Sequence, residues 1–99
     1  MKTKTYNPHP GEILLEEFLK PGGVTQYKLA QAIGLPQSRL SSIINGKRSI
    51  TAETAILLGK FFGTSPDMWL GLQNMYDLRE AEKAIGARAA KVIPHQKAA

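Results

Sequence analysis

Apolar side chains recur along this chain three and four residues apart, and nowhere do they alternate with polar ones as in a half-buried strand. The pattern predicts an all-α fold of five helices. The first covers about residues 10–19. Pro10 suits its first turn, Glu12 its positive end, and Leu14, Leu15, Phe18 and Leu19 form one stripe before Pro21-Gly22-Gly23 stops it. Thr25 is the expected N-cap of a second helix reaching Ile33, which Gly34 ends in the left-handed conformation. Pro36 is expected at the first position of a third helix running to about Ile44, closed by an Asn45-Gly46 turn.

Thr51 should cap a fourth helix that is apolar on most sides through Ala55, Ile56, Leu57, Leu58, Phe61 and Phe62, and hence central; Gly63 closes it. Ser65-Pro66-Asp67 opens a fifth helix that carries Met68, Trp69, Leu72, Met75, Tyr76 and Leu78. From Gly86 the residues turn small and basic, with Pro94 near the end, which predicts a frayed helical extension and a disordered end. Residues 1–85 are therefore expected as one domain and residues 86–99 as a flexible basic tail. Leu14, Phe18, Leu29, Ile33, Leu40, Ile43, Leu57 and Phe61 are the expected core.

Composition narrows the class. An apolar share of 42% over 99 residues fills one core. With no cysteine, disulfide scaffolds, thiol catalysis and cysteine-zinc sites are excluded. No stretch approaches the ~18 apolar residues of a membrane span, and the polar start is unlike a signal core, so a soluble cytoplasmic chain is expected.

The formal charge of +5 is unevenly spread. Residues 25–60 hold Lys28, Arg39, Lys47, Arg48 and Lys60 against Glu53 alone, whereas residues 61–82 set Asp67, Asp77, Glu80 and Glu82 against Arg79. The tail adds Lys83, Arg88, Lys91 and Lys97. A basic middle and tail around an acidic segment point toward a polyanionic partner, and a modest lysine excess of this size equally serves solubility.

The middle also carries the motif. Two short helices joined by a few residues must cross steeply, which calls for a small side chain at the crossing, supplied by Ala30, and a left-handed corner at Gly34. Leu29, Ile33, Leu35, Leu40 and Ile43 then face the core and leave Gln37, Ser38, Arg39 and Ser42 toward solvent. A plain helical hairpin with a solvated polar face is the alternative. In Gln26, Ala30 and Gly34 the stretch resembles the lambda-repressor-like, or XRE, family of helix-turn-helix regulators. The resemblance implies a lambda-repressor-like domain whose second motif helix enters the major groove of double-stranded DNA. It sets Gln37, Ser38, Arg39 and Ser42 near base edges, with Gln26, Asn45 and Lys47 on phosphates, and Lys28 and Arg48 are expected to add to the phosphate contacts. Glutamine can pair with adenine and arginine can fork onto guanine.

A second resemblance spans nearly the whole chain, through His9-Pro10-Gly11-Glu12-Ile13-Leu14, Asn45-Gly46-Lys47-Arg48-Ser49-Ile50-Thr51, Phe62-Gly63-Thr64-Ser65-Pro66 and Trp69-Leu70-Gly71-Leu72-Gln73. These segments are similar to the HigA (VapI) antitoxin family. The resemblance implies a dimeric repressor of its own operon that neutralises a small RelE-like ribosome-dependent endoribonuclease. No long neutralising tail is visible, so the toxin contact falls on the folded body or either terminus.

Glu12, Glu16 and Glu17 share a helix with no histidine, nucleophile or ligand set beside them and are expected as surface charge rather than catalytic carboxylates. His9 and His95 lack metal-ligand spacing, and His9 is expected instead to cap the first helix. No enzyme, cofactor or metal is expected. Trp69, Leu72, Met75, Tyr76 and Leu78 suit either a core strip or a dimer face, and the dimer face, partly exposed in one chain, is the preferred reading. The basic tail could add phosphate contacts or touch the toxin, and nothing specific is expected of it. The function expected is an autorepressor and antitoxin of a type II toxin-antitoxin system. Alternatives are a plain regulator without a toxin, and a module that inhibits an enzyme with little role at DNA.

Overall fold

His9 begins the regular structure. In the computed structural model, which describes residues 6–95, its Nδ1 accepts the Gly11 N–H at 2.9 Å and caps a helix that starts at Pro10, as the sequence predicts. This first helix, α1, comprises Pro10–Ile13, a π-helical segment Leu14–Leu19, and Lys20–Gly22. The widened turn, in which Lys20 N–H reaches back to the Leu15 carbonyl, lets Leu14 and Leu19, five apart, both enter the core. The helix thereby outruns the expected end at residue 19 by one turn.

Helices α2 (Gln26–Ile33) and α3 (Gln37–Ile44) form the crossed pair. Thr25 Oγ1 accepts from Lys28 N–H at 3.1 Å, and Gly34 at φ 73° turns the chain so that Leu35 N–H returns to the Ala30 carbonyl. Pro36 stands one place earlier than expected. It is the N-cap of α3, extended at ψ 140°, with its carbonyl accepting from Arg39 and Leu40. Thr51 caps α4 (Ala52–Phe62), and Ser65 caps α5 (Pro66–Ala89). No strand occurs among the described residues.

The core gathers Leu14, Leu19, Leu29, Leu40, Ile43 and Leu58 under Trp69. Phe18 meets Trp69 at a tilt, 4.9 Å between ring centres, and Phe62 edge-on at 5.1 Å. Trp69 corrects the sequence reading. It is 0% exposed, because the first turns of α5 lie against α4 and α1 and the indole N–H has a partner inside, the Thr64 hydroxyl at 2.8 Å. Phe61 is the converse: expected in the core, it is 41% exposed, because the inward face of α4 runs through Thr54, Ala55 and Leu58.

The other residues assigned to the dimer face do reach the surface. Leu72 and Tyr76 are half-buried, and Met75 and Leu78 are 49% and 57% exposed. Helix α5 continues unbroken across the expected boundary at residue 86, and every residue from Ala81 to His95 is exposed. This projecting half gives a Cα radius of gyration of 17.0 Å, against about 13 Å for a compact chain of this length. No described helix is long and apolar enough to cross a membrane. Lys97 and the expected disordered end lie outside the described residues.

Candidate nucleic-acid interface

Helix α3 buries Leu40, Ile43 and Ile44, and at 3.6 residues per turn its other side must hold Gln37, Ser38, Ser41, Ser42 and Asn45. Gln37, Ser38 and Asn45 are exposed, and Ser41 and Ser42 are half-buried. Asn45 Nδ2 donates to Ser41 Oγ at 3.4 Å, a contact that sequence reasoning missed because Ser41 was not among the chosen residues.

Arg39 leaves the helix sideways, and its guanidinium stands 3.7 Å from the Glu53 carboxylate on α4. The side chains are 39% and 71% exposed, so water screens the pair and it is worth about 0–1 kcal/mol. Arg39 is thus held only by a weak, solvent-accessible partner.

The flanking cations belong to the first helix of the motif and to the loop that follows its second. Lys28 is exposed on the first turn of α2 beside half-buried Gln26, and Lys47 and Arg48 are exposed in the loop from α3 to α4. None of the nine residues singled out from the sequence is buried. Close by, Tyr27 projects from α2, and its hydroxyl accepts from Gln31 Nε2 at 3.0 Å.

This surface rests on α1. A Cβ built on Gly11 would overlap the Ile43 carbonyl oxygen and lie 2.9 Å from Ile44 Cα, so only glycine lets the start of α1 seat against the last turn of α3. The His9 ring meets Tyr76 edge-on at 4.8 Å between centres. Burial holds the His9 imidazole below the ordinary histidine range, while Asp77 pulls the other way. Asn7 Nδ2 donates to the Tyr76 carbonyl and to Glu80, each at 3.1 Å, and Tyr6 donates to Glu12. The hydrogen bonds from Asn7 and Lys83 keep the Glu80 carboxyl below the usual range. No group of three metal-ligating side chains occurs among the described residues.

Residues 15–69 match the family described as helix-turn-helix, which covers all of this surface. The chain is 47% identical over 75 residues to virulence-associated protein I of Dichelobacter nodosus, an overlap of 76% of this chain and 69% of that one. It is 38% identical over 93 residues to antitoxin HigA-1 of Vibrio cholerae, covering 94% and 88% of the two chains. The chain belongs to the HigA (VapI) family of helix-turn-helix proteins. Its fold matches the structure of Pseudomonas aeruginosa antitoxin HigA with the higBA promoter at a TM-score of 0.87 and 35% identity, over 92% of this chain and 100% of that one. The HigA family is one of transcription regulators and antitoxins, not of enzymes.

Proposed function

We propose that this HigA-family chain is a sequence-specific autorepressor and the antitoxin of a type II pair, neutralising a RelE-like messenger-RNA endoribonuclease in the cytoplasm. The observation that carries the reading is the match, over nearly its whole length, to an antitoxin solved with promoter DNA, together with an uncovered polar and basic face on α3 and its loop. Gln37, Ser38, Arg39 and Ser42 read base edges in the major groove. Gln26, Lys28, Asn45, Lys47 and Arg48 fix the register on phosphates.

Two copies related by a two-fold axis set their α3 helices about 34 Å apart and demand a roughly palindromic operator. Leu72, Met75 and Tyr76, with Leu78 beside them, supply the dimer contact; Trp69 takes no part in it. Repression then follows from occupying the promoter, and no bond is made or broken.

Purification of the tagged chain from its native cells, with mass spectrometry of what co-elutes, tests the antitoxin half. A stoichiometric small basic protein resembling a ribosome-dependent ribonuclease is the expected result. Recovery of the chain alone, still binding one tight DNA site against competitor, reduces it to a plain regulator. Only weak, salt-sensitive DNA affinity removes the repressor half.

A further inference from the structure

The loop that carries Lys47 and Arg48 is held at both ends, in part by residues outside the helix-turn-helix. At its start Lys47 N–H returns to the Ser42 carbonyl at 2.8 Å, and Gly46 lies under the His9 ring. At its end the Ile50 side chain is buried, and Ile50 N–H donates to Gln73 Oε1 at 2.7 Å, across 23 residues of sequence. Gln73 is only 5% exposed and lies on the inner side of α5. Its amide nitrogen donates to Asp77 Oδ1 at 2.9 Å.

These bonds fix which way the amide points. A flipped amide would set its NH2 against the Ile50 N–H and its oxygen against the Asp77 carboxylate, so both contacts would turn repulsive. Asp77 thus presents the Gln73 oxygen to the loop. For core packing alone, an apolar side chain of similar volume would serve this position at least as well as a buried amide. What the amide adds is a fixed place for the end of an otherwise irregular loop. Between the two anchors, Arg48 and Ser49 make none of the backbone hydrogen bonds that tie down the rest of the motif.

We infer that Gln73, oriented by Asp77, is a positioning residue for DNA binding: through Ile50 it holds Lys47 and Arg48 where they meet phosphate. The inference rests on the DNA-binding reading above. Preorganising two long cationic side chains removes much of the ordering cost that binding would otherwise carry. Gln73 itself touches no DNA.

The test is a double-mutant cycle on the full chain, read as affinity for its own promoter fragment at several salt concentrations. Gln73→Met is expected to weaken binding about tenfold, as two ordered side chains are released. It should also reduce the slope of log affinity against log salt by roughly one, because about one phosphate contact is lost on average. In a Lys47→Ala/Arg48→Ala background the same substitution should add less than about twofold, since coupled residues are non-additive. Loss of fold stability alone would leave the salt slope unchanged and would act equally in both backgrounds, and that result overturns the inference.

Should Gln73→Met not fold, Gln73→Glu carries the test. It keeps an acceptor for Ile50 but sets carboxylate against carboxylate, so binding should weaken, and Asp77→Asn should rescue it by restoring the second hydrogen bond with its polarity reversed. No rescue overturns the inference. Tight binding by the unmodified chain with Gln73→Met unaffected removes this inference alone, whereas no specific DNA site for the unmodified chain removes the underlying reading as well.

Discussion

Gly11→Ala tests whether the fold depends on the close seat of α1 against α3. The added methyl would overlap the Ile43 carbonyl oxygen and lie 2.7 Å from its carbon and 2.9 Å from Ile44 Cα. Ordinary contact begins at about 3.5 Å. All three atoms are backbone in the last turn of α3, so no flexible side-chain end can move aside, and the two helices must part. Overpacking in cores typically costs ~1–3 kcal/mol, and an unyielding neighbour places this case at about 3 kcal/mol. For a domain of this length each kcal/mol moves the melting temperature by roughly 4–8 °C, so a fall of about 12–24 °C is expected in thermal unfolding followed by circular dichroism. The same assay on Gly71→Ala, an exposed helical position with nothing within 4 Å, should show a gain of a few degrees, since alanine is favoured over glycine in a helix by ~0.5–1 kcal/mol. A Gly11→Ala protein melting within about 2 °C of the parent would refute the packing argument.

The other expectations concern the DNA surface, the dimer and pH. Arg39→Ala should cost ~1–3 kcal/mol at one base pair and relax preference there, whereas Lys47→Ala should weaken all sequences alike and lower the salt slope by about 0.9; competition binding with single-base operator variants separates the two. Met75→Lys with Leu78→Lys should halve the mass seen in sedimentation while leaving the melting temperature of the monomer nearly unchanged; an unchanged mass would put the dimer contact elsewhere. His9 has a folded-state pKa below its ordinary 6.5, so the unfolded chain takes up that proton first. Stability contributed by the neutral cap is then present above that value and lost as pH falls through the lower folded value. His9→Asn, which caps without titrating in this range, should flatten that decline in denaturant titrations at stepped pH.

What the sequence made legible was local. Thr25, Thr51 and Ser65 accept backbone N–H groups three residues ahead, and Gly34 and Gly63 carry positive φ, because each of these roles is decided within one helical turn. The outward set on α3 was legible for a related reason: once Leu40 and Ile43 are inside, period alone sends Gln37, Ser38 and Ser42 out. The choice between two apolar faces of one helix was not local. Phe61 and Trp69 exchanged roles because which stripe of α4 and α5 meets the core depends on how these two helices pack on each other and on α2 and α1, and no window of residues contains that packing.

The site's supports were hidden in the same way. Glu53 reads as an ordinary first-turn acid until α3 brings Arg39 beside it. Gln73 interrupts the apolar stripe of α5 between Trp69 and Tyr76, and to a periodicity argument it is only a polar residue in an inward place. Its meaning lies in a backbone N–H 23 residues earlier. A buried amide has to be satisfied by something, so a break of this kind marks a position whose partner must be sought in distant sequence, and here that partner ends the loop on which the basic residues sit.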